Sequence, residues 1–306
     1  MRHFITLDDV SVAELDRIME LAAAIKTEYQ AGERKPYLAG KTIAMIFEKQ
    51  SLRTRVSFET GMTQLGGGSM FLGDDVGFGK RESIKDFGNV LSAMVDAIVF
   101  RAKKHESVVE LAKYCTCPVI NALTDQAHPC QALADLLTVK ERCGSLKGRK
   151  IAWVGDANNV AASLVQAAVK LDVEVVLATP EPYQFDAATV KQITSADPGY
   201  VLRQLTDPQE AVKGADAIYT DVWASMGQEA EEAKRKKDFA DYQVNGKLLA
   251  AAETDCIFLH CLPAKRGVEV TDEVMDSPQS AIVQQAENRT HAQKGLLVWL
   301  LNECGK

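Results

Sequence analysis

Apolar positions along this chain follow two alternating patterns. Short unbroken apolar runs, too brief for helices, predict buried strands at 42–47, 69–72, 97–100 (ending at Arg101), 118–121, 150–154, 173–178, 200–202, 216–220 and 256–259. Between them, apolar residues recur at three and four, as one face of a helix requires. Helices are predicted at 8–30, with Leu15, Ile18, Met19, Ala22 and Ile25 inward, and after residue 51, where Val56, Phe58, Met62 and Leu65 form the apolar face. Further helices are expected at 83–94, 108–114, 129–143, 160–171, 186–194 and 207–213, with a last one at 286–303 carrying Leu296, Leu297, Trp299, Leu300 and Leu301. Gly66, Gly67 and Gly68 end the second helix, and the glycine-rich loop 73–81 reads as mobile. The strand–helix alternation runs twice, with Gly144 and Gly148 between the two sets. That predicts an α/β chain of two parallel-sheet α/β domains, residues 1–140 and 141–285.

In open parallel sheets a ligand sits at the carboxyl ends of the strands. Ser51-Leu52-Arg53-Thr54-Arg55 lies at such an end, where a helix N-terminus exposes unpaired N–H groups and attracts anions. Arginine adds a planar fork that matches phosphate oxygens two at a time. This stretch reads as a phosphate cradle. Arg101, His128 and Gln131 fall at other strand ends of the first domain, and together these groups surround one crevice. In the second domain Val154-Gly155-Asp156-Ala157-Asn158-Asn159 keeps only the first glycine of a dinucleotide fingerprint, and the next strand ends at Ala178-Thr179-Pro180 without an acidic residue. Nicotinamide binding is therefore discounted, and Asn158 and Asn159 offer amides to a small polar ligand instead. Asp221-Val222-Trp223-Ala224-Ser225-Met226-Gly227 follows a later strand, and Leu259-His260-Cys261-Leu262-Pro263 the last. A strand-end cysteine beside proline, taken alone, is most simply a buried thiol. The alternating charges of 229–237 read as a solvated helix face.

Composition narrows the classes. The 306 residues are 46% hydrophobic and 25% charged, ordinary for a globular protein, and the net charge of -7 argues against a general nucleic-acid binder. It does not argue against a small anionic substrate, because a local arginine cluster overrides the global sign. No apolar run approaches a membrane span of about 20 residues, and Met1-Arg2-His3-Phe4 leads into an acidic helical pattern, unlike a signal peptide. The seven cysteines are odd in number and form no Cys-x-x-Cys pair, so no metal site is expected and reduced thiols in a cytoplasmic protein are the economical reading.

Taken in order, Ser-x-Arg-Thr-Arg at 51–55, His-Pro-Cys-Gln at 128–131, Asp-x-x-x-Ser-Met-Gly at 221–227 and His-Cys-Leu-Pro at 260–263 resemble the carbamoyltransferase family, most closely its ornithine-using branch, over essentially the whole chain. The resemblance implies a carbamoyl-phosphate-binding domain at 1–140, on which the C-terminal helix 286–306 packs back, an ornithine-binding domain at 141–285, and an active site in the cleft between them. It implies that Ser51, Arg53 and Thr54, with Leu52 through its backbone, hold the phosphate of carbamoyl phosphate. Arg101, His128 and Gln131 would hold the carbamoyl group, with Arg289 reaching in from the last helix. Asn159, Asp221, Ser225 and Met226 would bind ornithine, and Cys261 with Leu262 would lie near the reacting atoms. Arg101, His128, Asp221 and Cys261 become the catalytic candidates. A homotrimer with active sites at subunit interfaces and no cofactor is likewise implied. Two positions depart from the family pattern: Gly77 stands where many members carry a glutamine, with Lys80 or Arg81 as its replacement, and Lys265 stands where a histidine is common. Carbamoyl transfer to aspartate or a diamine, and non-catalytic anion binding, are the alternatives. The Ser225–Gly227 and His260–Pro263 stretches favour ornithine, and polar groups in both domains favour catalysis.

Overall fold

A computed structural model describes residues 1–224 and 229–304. The chain forms two compact units, Met1–Leu137 with Glu287–Lys306, and Thr138–Ala286. Among the described residues no helix is long and apolar enough to cross a membrane.

The first unit is built on four parallel strands, β1 (Thr42–Phe47), β2 (Gly68–Leu72), β3 (Ala97–Arg101) and β4 (Val119–Leu123), in the order β2-β1-β3-β4. Its helices are α1 (Val12–Gln30), α2 (Leu52–Gln64), α3 (Ile84–Ser92), α4 (His105–Tyr114) and the first part of α5 (Pro129–Cys143). β1 and β3 are apolar on both faces, as strands covered by helices on either side must be. From β1 the chain goes outward to β2 and then returns to the opposite side of β1 as β3. That reversal leaves a crevice at the carboxyl ends of β1 and β3, where Ser51 and Arg101 sit.

The second unit repeats the device with β5 (Lys150–Val154), β6 (Glu174–Ala178), β7 (Arg203–Leu205), β8 (Ala217–Thr220) and β9 (Ile257–His260), all parallel, in the order β7-β6-β5-β8-β9. Helices α6 (Asn159–Lys170), α7 (Ala187–Ile193), α8 (Pro208–Val212), α9 (Glu232–Asp238), α10 (Gly246–Leu249), α11 (Asp272–Met275) and the start of α12 (Ile282–Val298) complete it. Here the reversal lies between β5 and β8, and it puts Asn158 and Asp221 at adjacent strand ends.

Several boundaries differ from the sequence pattern, for identifiable reasons. The helix predicted from residue 8 begins at Val12, because Thr6 with Asp9 and Ser11 with Glu14 form successive capping boxes that split it. The strand expected at 200–202 lies at Arg203–Leu205, since the Tyr200 hydroxyl accepts from Val175 N at 2.8 Å and donates to Val173 O at 3.2 Å, capping β6 from the side. The last helix starts at Ile282 and passes into a π turn over Trp299–Glu303. Val56 is 49% exposed while Phe58, Met62 and Leu65 are buried. Two residues is about 200° of helix, so Val56 and Phe58 cannot share a face.

Candidate active site

Ser51 caps α2: its Oγ accepts from Thr54 N at 3.2 Å and donates to Thr54 Oγ1 at 3.0 Å. Two guanidiniums converge on that same threonine oxygen, Arg289 Nη2 at 2.8 Å and Arg101 Nη1 at 3.5 Å. Arg289 Nη1 also donates to Gln131 Oε1 at 2.9 Å, and Gln131 Nε2 donates to Asp135 Oδ1 at 2.8 Å. Thr54, Arg101, His128, Gln131, Asp135 and Arg289 are all buried. The first unit therefore brings Ser51, Thr54, Arg101, Gln131 and Arg289 into one hydrogen-bonded cluster at a helix N-terminus, an anion site by its charge and its donors. Asp135 fixes which end of the Gln131 amide faces Arg289. Its spacing, four residues on along α5, was the available sequence signal.

Burial foremost, then the charges of Arg289, Arg101 and Arg53, hold the His128 imidazole well below its ordinary range. The unfolded chain takes up a proton on this ring below about pH 6.5, whereas the folded chain does not. Its contribution to stability is thus fully present above that pH and declines as pH falls below it. His128→Asn should flatten the fall of melting temperature between about pH 6.5 and 5. An unchanged slope would show that the folded protein protonates the ring.

Two neighbours of the cradle turn away from it. Leu52 is 73% exposed, so its backbone is the part set at the helix N-terminus. Arg55 pairs with Glu59 at 3.0 Å and lies over the Phe71 ring, so only Arg53 of the two motif arginines joins the field around His128. At Gly77, φ is +65° and a Cβ would come within 2.5 Å of Arg81 Cγ. The Arg81 side chain is folded over Gly77, so this backbone position leaves no room for a side chain of its own.

In the second unit, Asn158 caps α6, its Oδ1 accepting from Val160 N at 2.9 Å and Ala161 N at 3.2 Å. Its Nδ2 donates to Asp221 Oδ2 at 2.8 Å, so this amide orients the aspartate rather than standing open to a ligand. Asp221 Oδ1 accepts from Val222 N at 2.8 Å and from the Cys261 thiol at 3.0 Å. Asn159 opens α6 directly beside them. Ser225 and Met226 lie outside the described residues.

The charged run at 229–237 is not wholly a solvated face. Arg235 is buried; it donates to Asp156 at 2.9 Å and to Trp223 O at 2.9 Å, and its guanidinium lies over the Tyr183 ring. Burial pushes the Asp156 carboxyl up to about 6, against the pull of Arg235. Nothing in the run's periodicity marks the one arginine that turns inward. Lys265 forms an ion pair with Glu232 on the exposed side.

Ligand-capable atoms of Asp221, His260 and Cys261 lie within 4.8 Å of one another, the donor chemistry of a metal site. Both nitrogens of His260 are already engaged, however. Nδ1 accepts from Leu262 N at 2.9 Å and Nε2 faces Glu269 Oε1 at 3.3 Å. A cation would find the aspartate and the thiol without the imidazole.

Family models described as aspartate/ornithine carbamoyltransferase, carbamoyl-P binding domain, and aspartate/ornithine carbamoyltransferase, Asp/Orn binding domain, match residues 2–141 and 147–300. An ornithine carbamoyltransferase of Halalkalibacterium halodurans is 53% identical over 98% of this chain and 95% of its own length. One from Carboxydothermus hydrogenoformans is 51% identical over 98% and 97%. Among solved structures, the Pyrococcus furiosus ornithine carbamoyltransferase superimposes with a TM-score of 0.94 at 49% identity, covering 99% of this chain and 97% of that one. The anabolic ornithine carbamoyltransferase of Campylobacter jejuni does so with 0.92 at 38% identity, covering 99% and 100%.

Proposed function

The chain belongs to the aspartate/ornithine carbamoyltransferase family, and we propose that it transfers the carbamoyl group of carbamoyl phosphate to the δ-amine of L-ornithine, giving L-citrulline and phosphate. The observation that carries the reading is the convergence of Arg289 and Arg101 on Thr54 at the N-terminus of α2. Such a cluster suits an anion that must depart as phosphate. In this reading Ser51, Arg53, Thr54 and the Leu52 backbone hold the phosphate, while Arg101 and neutral His128 face the carbamoyl oxygen and stabilise the oxyanion as the amine attacks. Gln131 Oε1 keeps a second lone pair for the carbamoyl amide, beyond the one Arg289 uses. Asp221 is the counter-ion for the α-ammonium of ornithine, with Asn159, Ser225 and Met226 completing that subsite, and Cys261 and Leu262 lie near the reacting atoms. The chemistry calls for no cofactor.

The domain division at 1–140 and 141–285, a role in arginine biosynthesis, and a cytoplasmic homotrimer belong to the same proposal. All seven cysteines stand as thiols, none joined in a disulfide, as suits a reducing compartment. Exposed Leu52, Val56 and Phe71 beside the cradle support an assembly surface there. A steady-state assay with carbamoyl phosphate and, separately, ornithine, aspartate and putrescine tests the function. Citrulline formation with ornithine, and at most traces of carbamoylated product from the other two amines, is expected. Comparable turnover with aspartate or putrescine would overturn the acceptor assignment, and no phosphate release with any amine would overturn the transfer itself.

A further inference from the structure

We propose that Glu269 is a positioning residue for the acceptor side of the reaction: through His260 it fixes the turn that carries Cys261 and Leu262. The role rests on the carbamoyl-transfer reading. His260 ends β9, and the chain turns immediately after it. Because Leu262 N–H donates to His260 Nδ1 at 2.9 Å, that nitrogen carries no proton. The ring proton is on Nε2, which donates to Glu269 Oε1 at 3.3 Å. Lys265 N–H donates to the same carboxylate oxygen. One oxygen thus holds the turn at both ends, Lys265 directly and Leu262 through the imidazole.

The anchor is itself rigid. His260 and Glu269 side chains are both 0% exposed. His260 N donates to Gln285 Oε1 at 2.9 Å, and Glu269 O accepts from Val244 N at 2.9 Å. The other Glu269 carboxylate oxygen, Oε2, meets no donor among the described residues, so the hydrogen bonds this carboxylate accepts are directed to the turn and its histidine. Burying a carboxylate is unfavourable, and an apolar side chain would fill the space more stably; the geometry of the turn is what the carboxylate secures. Leu262 has φ +60°, a left-handed conformation that a branched L-residue keeps only when its surroundings hold it there. The turn so held brings Cys261 Sγ to 3.0 Å from Asp221 Oδ1. Releasing the anchor frees the thiol from the aspartate and blurs the subsite both belong to.

Glu269→Ala and Glu269→Gln in the full chain test this by two readouts. The first is the alkylation rate of each cysteine by iodoacetamide, followed by peptide mass mapping, with buried Cys115, Cys117, Cys130 and Cys256 reporting whether the fold is intact. Alkylation of Cys261 should rise about ten-fold or more in Glu269→Ala while those four stay protected. In Glu269→Gln, which keeps an acceptor for the imidazole, it should stay within about three-fold of the unsubstituted protein. The second readout is kcat/KM for ornithine, which should fall about ten-fold or more in Glu269→Ala and recover most of that loss in Glu269→Gln. Either readout at its unsubstituted level in Glu269→Ala overturns the proposal. Exposure of all five cysteines together would also overturn it, by making Glu269 a determinant of folding. An unsubstituted protein that forms no citrulline would instead overturn the functional reading, with the thiol measurement unaffected.

Discussion

Arg101→Ala should lower kcat by about 10²–10³ at saturating carbamoyl phosphate, the loss typical of removing one preorganised donor from a developing oxyanion. The fold should survive the change, because the backbone at this strand end is held by its neighbours. Glu48 N donates to Arg101 O at 2.9 Å and Ala102 N donates to Leu123 O at 3.0 Å, and neither bond involves the guanidinium. The side chain itself is only 6% exposed and faces Thr54, in a cluster that already contains Arg289. Charges gathered away from water act at low effective dielectric, where each is worth more than at a surface. Arg101→Lys should recover only part of the loss, since an ammonium keeps the charge but not the planar fork. The alanine substitution should also move His128. Arg101 is one of the cations that hold its imidazole down, so Arg101→Ala should raise the ring's pKa toward its ordinary value, which an NMR titration reads directly. A variant with unchanged kcat and a raised Michaelis constant for carbamoyl phosphate would mean that Arg101 binds ground state and transition state alike, and the oxyanion role would fall.

Asp221→Asn should raise the Michaelis constant for ornithine by about 10- to 150-fold, the equivalent of about 1.5–3 kcal/mol for a hydrogen bond to a charged group. The Michaelis constant for carbamoyl phosphate should change little. Asp221 is buried and oriented on both oxygens, by Asn158 on one and by Val222 N and Cys261 on the other. Its negative charge suits the α-ammonium of ornithine and leaves the δ-amine to react. That amine has an ordinary pKa near about 10, so about one molecule in a thousand is neutral at pH 7, a cost of about 4 kcal/mol. Turnover at subsaturating ornithine should therefore rise with pH between about 6 and 8 in the unsubstituted protein, and the slope should persist in Asp221→Asn because the substitution does not touch the δ-amine. A variant that lost carbamoyl phosphate affinity alone would assign Asp221 to the other substrate.

The cores of both sheets were readable because buried parallel strands are apolar throughout and cannot be mistaken for surface. Thr42–Phe47 and Lys150–Val154 appear in the sequence where they lie in the structure. The cradle was readable for a related reason: Ser51 to Thr54 is local, and a capping serine followed by arginine and threonine states its chemistry within one helical turn. Strand edges were harder. Residues 200–202 satisfied a strand pattern, but the Tyr200 hydroxyl bonds Val175 in β6 and Val173 just before it, and the strand begins later.

The sequence by itself determined the alternation of elements, the two-sheet architecture and the kind of ligand its strand ends attract. These follow from hydrophobic period, capping chemistry and charge, all of which act over a few neighbouring residues. The tertiary structure alone decided which polar side chains meet. The order β2-β1-β3-β4 sets Arg101 beside Ser51, and the return of the chain at Glu287 lets Arg289 donate to Thr54, from the far end of the sequence. It turned Arg55, from the anion-binding motif, outward and Arg235, from the charged run, inward. It also placed Glu269, which belongs to no motif, under the turn after His260. Local forces decide what each segment becomes; only the closing of loops between distant segments decides what each side chain touches, and a period read along the chain carries no record of those closures.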